Sequence, residues 1–242
     1  MSSKILKNCI DIHVHSGPGL FPRTVDDFQL AQEALKAEMR AVVLKAHEGS
    51  TVFRAHLVNR RLGREILIGS IVLNSFVGGF NPDAVDCAVK LGARVVWMPT
   101  ISAQNHLNHY GSCNYSNMNT NSETRPLKPQ RIFDEKGDIK PEVKEILEII
   151  RDSDVCIATS HLSLEESLKL IDEALQMGIR KILLNHPEAG VTRVDLEIQK
   201  ELAKRGVFIE KAYLWATAGW QACLTLISFD QYPQTLKINI VH

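Results

Sequence analysis

The segment Cys9-Ile10-Asp11-Ile12-His13-Val14-His15 is the strongest indication of the fold of this chain. The apolar run ends in two histidines and is followed at once by Ser16-Gly17-Pro18-Gly19, the pattern of a buried strand that ends there. Side chains alternate along a strand, so His13 and His15 are predicted to face the same way, with Asp11 on that face. Two neutral imidazoles side by side suit a divalent metal ion. An isolated His-x-His sequence can, however, also be two ordinary histidines on a half-exposed strand.

The pattern of an apolar run that ends in a polar residue recurs along the chain and alternates with helical patterns. Strands are predicted after the first one at 41–44, 66–73, 93–98, 155–159, 181–184 and 207–209. Helices are predicted at 25–37, 50–61, 83–91, 141–151, 163–177 and 194–204. Nearly continuous apolar strands between helices indicate a parallel sheet covered on both faces. A (β/α) barrel and an open doubly wound sheet both satisfy this, and in both the active site lies at the carboxyl ends of the strands.

Five of the nine histidines lie where predicted strands end: His13, His15, His47, His161 and His186. Core packing explains the placement of these histidines at strand ends poorly, because histidine has only an intermediate preference for burial. The sequence therefore predicts that His13, His15, His161 and His186 share a metal ion. For His47, a role in supporting the ligands or in binding substrate fits equally well.

Between residues 101 and 139 the alternation lapses. The stretch is rich in Asn and Ser, contains Pro126 and Pro129, and shows neither helical nor strand periodicity. Long irregular segments of compact domains are usually functional loops or disorder, and this one follows a strand's carboxyl end, so we predict a lid over the site. His106 is a candidate to close over the substrate there, with a solvated polar loop as the alternative. We predict one domain over residues 1–242 with this lid as an insertion.

Composition excludes several classes of partner. The chain has 242 residues, of which 45% are hydrophobic, and 28 basic residues balance 28 acidic ones. There is no basic surplus for nucleic acid or an anionic membrane, no apolar core of a signal peptide, and no run of ~18 apolar residues. The five cysteines are scattered, as in a reduced, cytoplasmic protein. We expect a small-molecule substrate, no nucleic acid and no membrane, and leave open whether the chain forms a homo-oligomer.

Several motifs together resemble a known superfamily. The Asp-x-His-x-His strand, the single histidines that end strands five and six, and the segments 44–47, 77–82, 97–100 and 159–161 are similar to an uncharacterised branch of the amidohydrolase superfamily of metal-dependent hydrolases. The likeness extends to about Glu210. It implies an α/β fold, a (β/α)8 TIM-type barrel that is distorted or incomplete at its C-terminal end, with one or two divalent ions. The implied ligands are His13, His15, His161 and His186, and water or hydroxide would be the nucleophile. Nitrogen ligands favour Zn²⁺, with Mn²⁺, Fe²⁺ and Ni²⁺ as alternatives.

The chain departs from the superfamily pattern at two strands. At the end of strand four, where binuclear members carry a bridging Lys or Glu, it has Met98-Pro99-Thr100. Either the site is mononuclear, or Lys45 or Glu210 bridges. The strand-eight aspartate that serves as general base has one candidate, Asp230, which would follow a closing strand at 224–229. An eighth strand–helix unit cannot be recognised in the sequence, and the chain is short for a barrel that typically needs ~250 residues.

Four further side chains are candidates for the chemistry. Lys45 lies two residues before His47, so it should point into the barrel, where it could neutralise an anionic substrate group or the leaving oxygen. Glu210 at a strand end could be a ligand or an acid–base group, or simply pair with Lys45. Asn74 and Thr100 could bind substrate, although such residues more often cap loops.

These residues predict a metal-dependent hydrolase that cleaves a C–N or C–O bond, in an amide, lactone or ester of a small molecule. Asp230 or Glu210 would carry the proton and Lys45 would assist. A phosphoesterase of the polymerase-and-histidinol-phosphatase type also begins with His-x-His, but it needs several Asp and Glu ligands. The third hypothesis is a metal- or ligand-binding module without turnover, because the sequence offers no clear strand-eight base.

Overall fold

Short parallel strands alternate with helices throughout the part of the chain described by the structure, a computed structural model that covers residues 6–115, 118–121, 124–212 and 238–239. The strands are β1 (Ile10–Val14), β2 (Ala41–Leu44), β3 (Leu67–Ile68), β4 (Ser70–Val72), β5 (Val95–Trp97), β6 (Cys156–Ala158), β7 (Ile182–Leu184), β8 (Phe208–Ile209), β9 (Lys211–Ala212) and β10 (Ile238–Asn239). The helices are α1 (Asp27–Lys36), α2 (Val52–Leu62), α3 (Pro82–Lys90), α4 (Gln104–Tyr110), α5 (Pro141–Asp152), α6 (Leu164–Gln176) and α7 (Leu196–Lys204), with a 3-10 turn at Ser75–Val77.

The strands pair in the order in which they occur in the chain. One sheet has the order β1-β2-β3 and a second the order β4-β5-β6-β7-β8, and every described pairing is parallel. An open doubly wound sheet reverses its strand order at a switch point, and no such reversal occurs among the described strands. The fold is therefore α/β of the (β/α)-barrel type, which confirms the predicted fold class. β10 pairs with β9 and lies next to β1, whereas the predicted closing strand at 224–229 lies outside the described residues.

The single strand predicted at 66–73 is divided at Gly69. β3 pairs with β2, whereas β4 pairs with β5. A Cβ atom on Gly69 would lie 2.6 Å from the Cα of Val52, so a side chain there would collide with the backbone at the start of α2. The Thr51 hydroxyl accepts a hydrogen bond from the Ser70 N–H at 2.9 Å and donates to the Leu44 carbonyl at 2.9 Å. Glycine is needed here because α2 packs directly against the division.

β1 departs from simple alternation. Its pairing with β2 shifts register between Asp11 and Val14, and Ile12 packs with the apolar cluster inside the strands while Val14 packs outside against α1 and α2. The prediction that Asp11 shares the face of His13 rested on unbroken alternation, so this shift removes its basis. Asp11 is buried, its carboxylate accepts a hydrogen bond from the His13 N–H at 3.1 Å, and burial raises its pKa to about 7.

The inner cluster forms the floor beneath the strand ends, and it is built from Val43, Val72, Val95, Trp97, Ala158 and Leu183. The larger outer cluster lies between the strands and helices α3, α5, α6 and α7. No helix in the described ranges is long and apolar enough to cross a membrane.

The segment at 101–139 contains a helix that the sequence analysis did not predict. α4 is composed mainly of Gln, Asn and His, so it shows no apolar periodicity. Its start is tied to the far end of the segment, because the Gln104 N–H donates to the Gln130 carbonyl and the Gln130 N–H donates to the Ser102 carbonyl, both at 2.7 Å. The helix exists because of these long-range contacts, which local sequence does not reveal.

Candidate active site

The structure brings the five predicted histidines together at the carboxyl ends of the strands. The ring centroid of His13 lies 5.3 Å from that of His15 and 5.8 Å from that of His186. His161 lies 5.3 Å from His186, and His47 lies 4.7 Å from His15. Residues from four strand ends, up to 173 positions apart in sequence (13 to 186), thus form one cluster of imidazoles.

Glu210 fixes the orientation of His13. Its carboxylate lies 2.7 Å from the Nδ1 of His13 and also accepts hydrogen bonds from the Asn185 side chain at 3.0 Å and the His186 N–H at 2.9 Å. Burial raises the pKa of Glu210, but the contact with His13 outweighs it and holds the pKa below its ordinary range. An ionised carboxylate only accepts, so Nδ1 of His13 carries the hydrogen and its Nε2 faces Lys45, whose Nζ lies 3.1 Å away.

His186 is held in the same tautomer by a different partner. The Thr192 hydroxyl donates to the His186 carbonyl at 2.8 Å, so it can only accept from the Nδ1 of His186, 3.2 Å away. Nδ1 of His186 therefore carries the hydrogen, and its Nε2 keeps a lone pair. Nδ1 of His161 lies 2.9 Å from Nδ1 of His106, which is fully buried on α4. His106 thus contacts a predicted ligand in this structure and is not solvated.

His47 is held in the opposite tautomer. The Asn74 amide donates to the Thr100 hydroxyl at 2.7 Å, and that hydroxyl lies 2.8 Å from Nδ1 of His47. Nδ1 of His47 is the one acceptor near the hydrogen of the Thr100 hydroxyl among the described residues, so Thr100 donates to it and the hydrogen of the imidazole lies on Nε2, 3.5 Å from the Tyr115 hydroxyl. Asn74 and Thr100, predicted to bind substrate, are fully buried and here hold His47.

Burial sets the charge of the cluster. It lowers the pKa of His15, His47 and His161 well below the usual value and that of His186 to about 3. These imidazoles are therefore neutral at neutral pH, as ligands must be. Burial also lowers the pKa of Lys45 to about 7.

The amine of Lys45 lies beside the imidazole of His13. The side chain is 2% exposed, and its Nζ lies 4.1 Å from the ring centroid of Trp97 as well as 3.1 Å from His13. An ammonium over an indole face is stabilised by the ring quadrupole. As predicted, Lys45 points into the barrel.

The cluster fits a divalent ion in the chemistry of its donors. His13 and His186 present Nε2 lone pairs, and Nδ1 of His15 is buried without a hydrogen-bond partner among the described residues. In this conformation, however, no three His, Cys, Asp or Glu side chains of the described ranges are placed to hold a metal ion. The Nζ of Lys45 lies instead beside the Nε2 of His13, in the direction of its lone pair.

Arg23 is a residue of the site that sequence reasoning missed. Its guanidinium lies 5.8 Å from the ring centroid of Phe21, which in turn packs 5.4 Å from the ring of His47. Arg23 is half-buried, and among the described residues no carboxylate forms an ion pair with it. After burial, its charge is a further cause of the lowered pKa of Lys45. It stands in a loop without a recognisable motif, so no local signal could have identified it.

Asp230, the predicted strand-eight base, lies outside the described residues. It remains a prediction.

Comparison with known proteins places the chain beside barrel proteins. A model of the "Family of unknown function (DUF6282)" matches residues 8–210. The structure is similar to an amidohydrolase from Pseudomonas aeruginosa, with a TM-score of 0.53 and 14% identity over 88% of this chain and 65% of that chain. It is also similar to a probable 2-pyrone-4,6-dicarboxylic acid hydrolase from Acinetobacter baumannii, with a TM-score of 0.50 and 13% identity over 84% of this chain and 69% of that chain.

This chain spans only about two thirds of the length of each of these two structures. At such identities the likeness shows the fold. No protein of curated function matches the sequence.

Proposed function

The chain belongs to the family of unknown function DUF6282, and we propose that it is a metal-dependent hydrolase of the amidohydrolase type, which cleaves a C–N or C–O bond of a small molecule. One observation carries the proposal: the hydrogen-bond partners of each imidazole determine which of its ring nitrogens keeps a lone pair. His13 and His186 each give their Nδ1 hydrogen to a protein acceptor and keep a lone pair on Nε2. Such an acceptor behind each imidazole is the usual companion of a histidine that binds metal.

The residues have distinct roles in this proposal. His13, His15, His161 and His186 would hold a divalent ion, most favourably Zn²⁺. When bound, the ion would polarise the scissile bond and make water a better nucleophile at neutral pH. Glu210 orients His13, since three hydrogen bonds already engage its carboxylate. Asp230 is the proposed acid–base group.

His47 and Lys45 would act on the substrate. His47 offers the N–H of its Nε2, which can donate to an oxygen of the substrate. Lys45 would stabilise the negative charge that develops on that oxygen or on the leaving group.

We further propose that the substrate carries a carboxylate. Lys45 lies beside His13 and Arg23 lies beside Phe21, which packs against His47, and neither basic side chain has a carboxylate within ion-pair distance in the described ranges. The similar Acinetobacter baumannii protein is named for a dicarboxylic acid substrate, and its structure holds citric acid. A guanidinium without an ion pair among the described residues suits a planar carboxylate, which it can bind through two hydrogen bonds.

The test begins with elemental analysis of protein purified without added metal. Hydrolysis is then measured on lactones, amides and esters, each as a carboxylate and as its neutral methyl ester, and on phosphoesters, with and without a chelator. We expect about one ion per chain and chelator-sensitive cleavage of a carboxylate compound. Cleavage of phosphoesters alone would favour the phosphoesterase, and bound metal with no turnover would favour the binding module. Absence of both metal and turnover contradicts the proposal.

A further inference from the structure

His106 contacts the predicted ligand set from outside it. It lies on α4, in the segment predicted to be a lid, and its side chain is fully buried. Its Nδ1 is 2.9 Å from the Nδ1 of His161, and the planes of the two rings are 12° apart with centroids 5.0 Å apart. A hydrogen bond between two Nδ1 atoms of neutral rings contains one hydrogen, so one ring must donate and the other must accept.

The proposed role of His161 as a ligand decides which ring donates. Nδ1 of His161 is occupied by His106, so only Nε2 of His161 can offer a lone pair to an ion. A neutral imidazole carries one hydrogen, which must then lie on Nδ1 of His161, and Nδ1 of His106 accepts it. The hydrogen of His106 itself lies on its Nε2, which is buried without a hydrogen-bond partner among the described residues.

We propose that His106 is a positioning residue, which accepts the Nδ1 hydrogen of His161 and thereby holds that imidazole with its Nε2 lone pair free for a ligand. The inference deepens the proposed function and rests on it for the identity of the ligand, a divalent ion. His161 would then match His13 and His186, whose Nδ1 atoms are already engaged by Glu210 and Thr192.

The location of His106 gives this hydrogen bond a further consequence. Glu210 and Thr192 follow strands β8 and β7, whereas His106 belongs to the helix within the 101–139 segment. The same helix is tied to the strand end by Asn105, whose amide donates to the His161 carbonyl at 3.2 Å and to the Val191 carbonyl at 2.6 Å. The geometry of a ligand therefore depends on how α4 is seated.

The direct test is the tautomer of His161, read by long-range ¹H–¹⁵N imidazole spectra of the metal-free protein. The His161 signals are assigned as those missing from a His161→Asn variant. We expect hydrogen on Nδ1 in the wild type. His106→Asn keeps an acceptor, its Oδ1, near the original Nδ1, and should preserve this tautomer. His106→Leu removes the acceptor and should shift His161 toward the Nε2–H form.

Zn²⁺ affinity, measured by competition with a chelating dye, gives the second readout. His106→Leu should weaken binding about 10–100-fold, while His106→Asn should lose less than about tenfold. His109→Leu makes the same change on the exposed side of α4 and should match the wild type.

A wild-type His161 with its hydrogen on Nε2 overturns the proposal, and so does a His106→Leu variant with wild-type tautomer and affinity. The wild-type spectrum decides the direction of the bond even if a variant fails to fold. If the wild type binds no Zn²⁺, the proposed function fails, while the spectra still decide the role of His106.

Discussion

At the scale of single residues, the imidazoles differ in which ring nitrogen carries the hydrogen. His13 and His186 keep it on Nδ1, whereas Thr100 holds it on Nε2 of His47. A metal ion needs the lone pair of a neutral nitrogen, so identical side chains a few ångströms apart are suited to different tasks. Their hydrogen-bond partners, and not their positions alone, distinguish a ligand from a donor to the substrate.

This distinction predicts the outcome of single alanine substitutions. Replacement of His13, His15, His161 or His186 should lower bound metal sharply while the fold largely survives, because each removes a ligand. His47→Ala should reduce activity and retain most of the metal. His56→Ala, on the exposed side of α2, is the control. Metal per chain is measured by elemental analysis, and full metal content in all four ligand variants would show the assignment to be wrong.

Lys45→Met separates chemistry from stability at a neighbouring position. Methionine keeps most of the stem volume against Trp97 and removes a buried amine whose pKa is lowered to about 7, so the free energy of unfolding at neutral pH should not fall and should rise. Turnover of a substrate found in the panel should fall at least about 100-fold. Zn²⁺ affinity should not fall, because the variant has no positive charge beside Nε2 of His13 that would repel the ion. Lys90→Met on the surface is the control, and a much lower melting temperature with unchanged turnover would reverse this interpretation.

At the scale of elements, the division between β3 and β4 depends on one glycine. Gly69→Ala should cost roughly 2–4 kcal/mol of unfolding free energy, because its Cβ would lie 2.6 Å from the backbone of Val52 and α2 would have to move. Gly190→Ala is the matched control: its Cβ would meet only the side chain of His109, at 3.3 Å. Urea unfolding measures both, and equal stabilities for the two variants would contradict the packing argument.

Elements that local sequence specifies were predicted, and elements that distant contacts specify were not. β2 was predicted at its observed bounds, and each end of α6 lies within one residue of the predicted helix at 163–177, because the apolar pattern of both elements is visible in the local sequence. α4 was missed because its helix depends on contacts with Gln130. The bond between His106 and His161 joins residues 55 positions apart, so no spacing rule could predict it.

At the scale of the whole molecule, the buried imidazoles make stability depend on pH. Burial lowers the pKa of His15, His47 and His161 well below 6.5, that of His106 to about 4 and that of His186 to about 3. In the unfolded chain these groups take up protons as the pH falls through about 6.5, whereas in the folded protein they do not. The unfolded state then binds more protons, so the free energy of unfolding falls as the pH falls.

The expected loss is on the order of 1.4 kcal/mol per pH unit for each such histidine below pH ~6.5. Asp11 acts in the opposite direction: its raised pKa, about 7, adds stability as the pH falls toward 3.8, but it is one group against several. We therefore expect the urea midpoint of chelator-treated protein to fall steeply from pH 7 to pH 5. From pH 7 to pH 8 it should rise modestly, because Lys45, with its pKa lowered to about 7, releases a proton in the folded protein that the unfolded chain keeps. His106→Asn should show a shallower fall, because one buried imidazole is gone, and His56→Ala should follow the wild type. A midpoint that stays constant between pH 7 and pH 5 would mean that the imidazoles are not held neutral in the folded protein. It would contradict the argument that these histidines are neutral and therefore able to bind a metal ion.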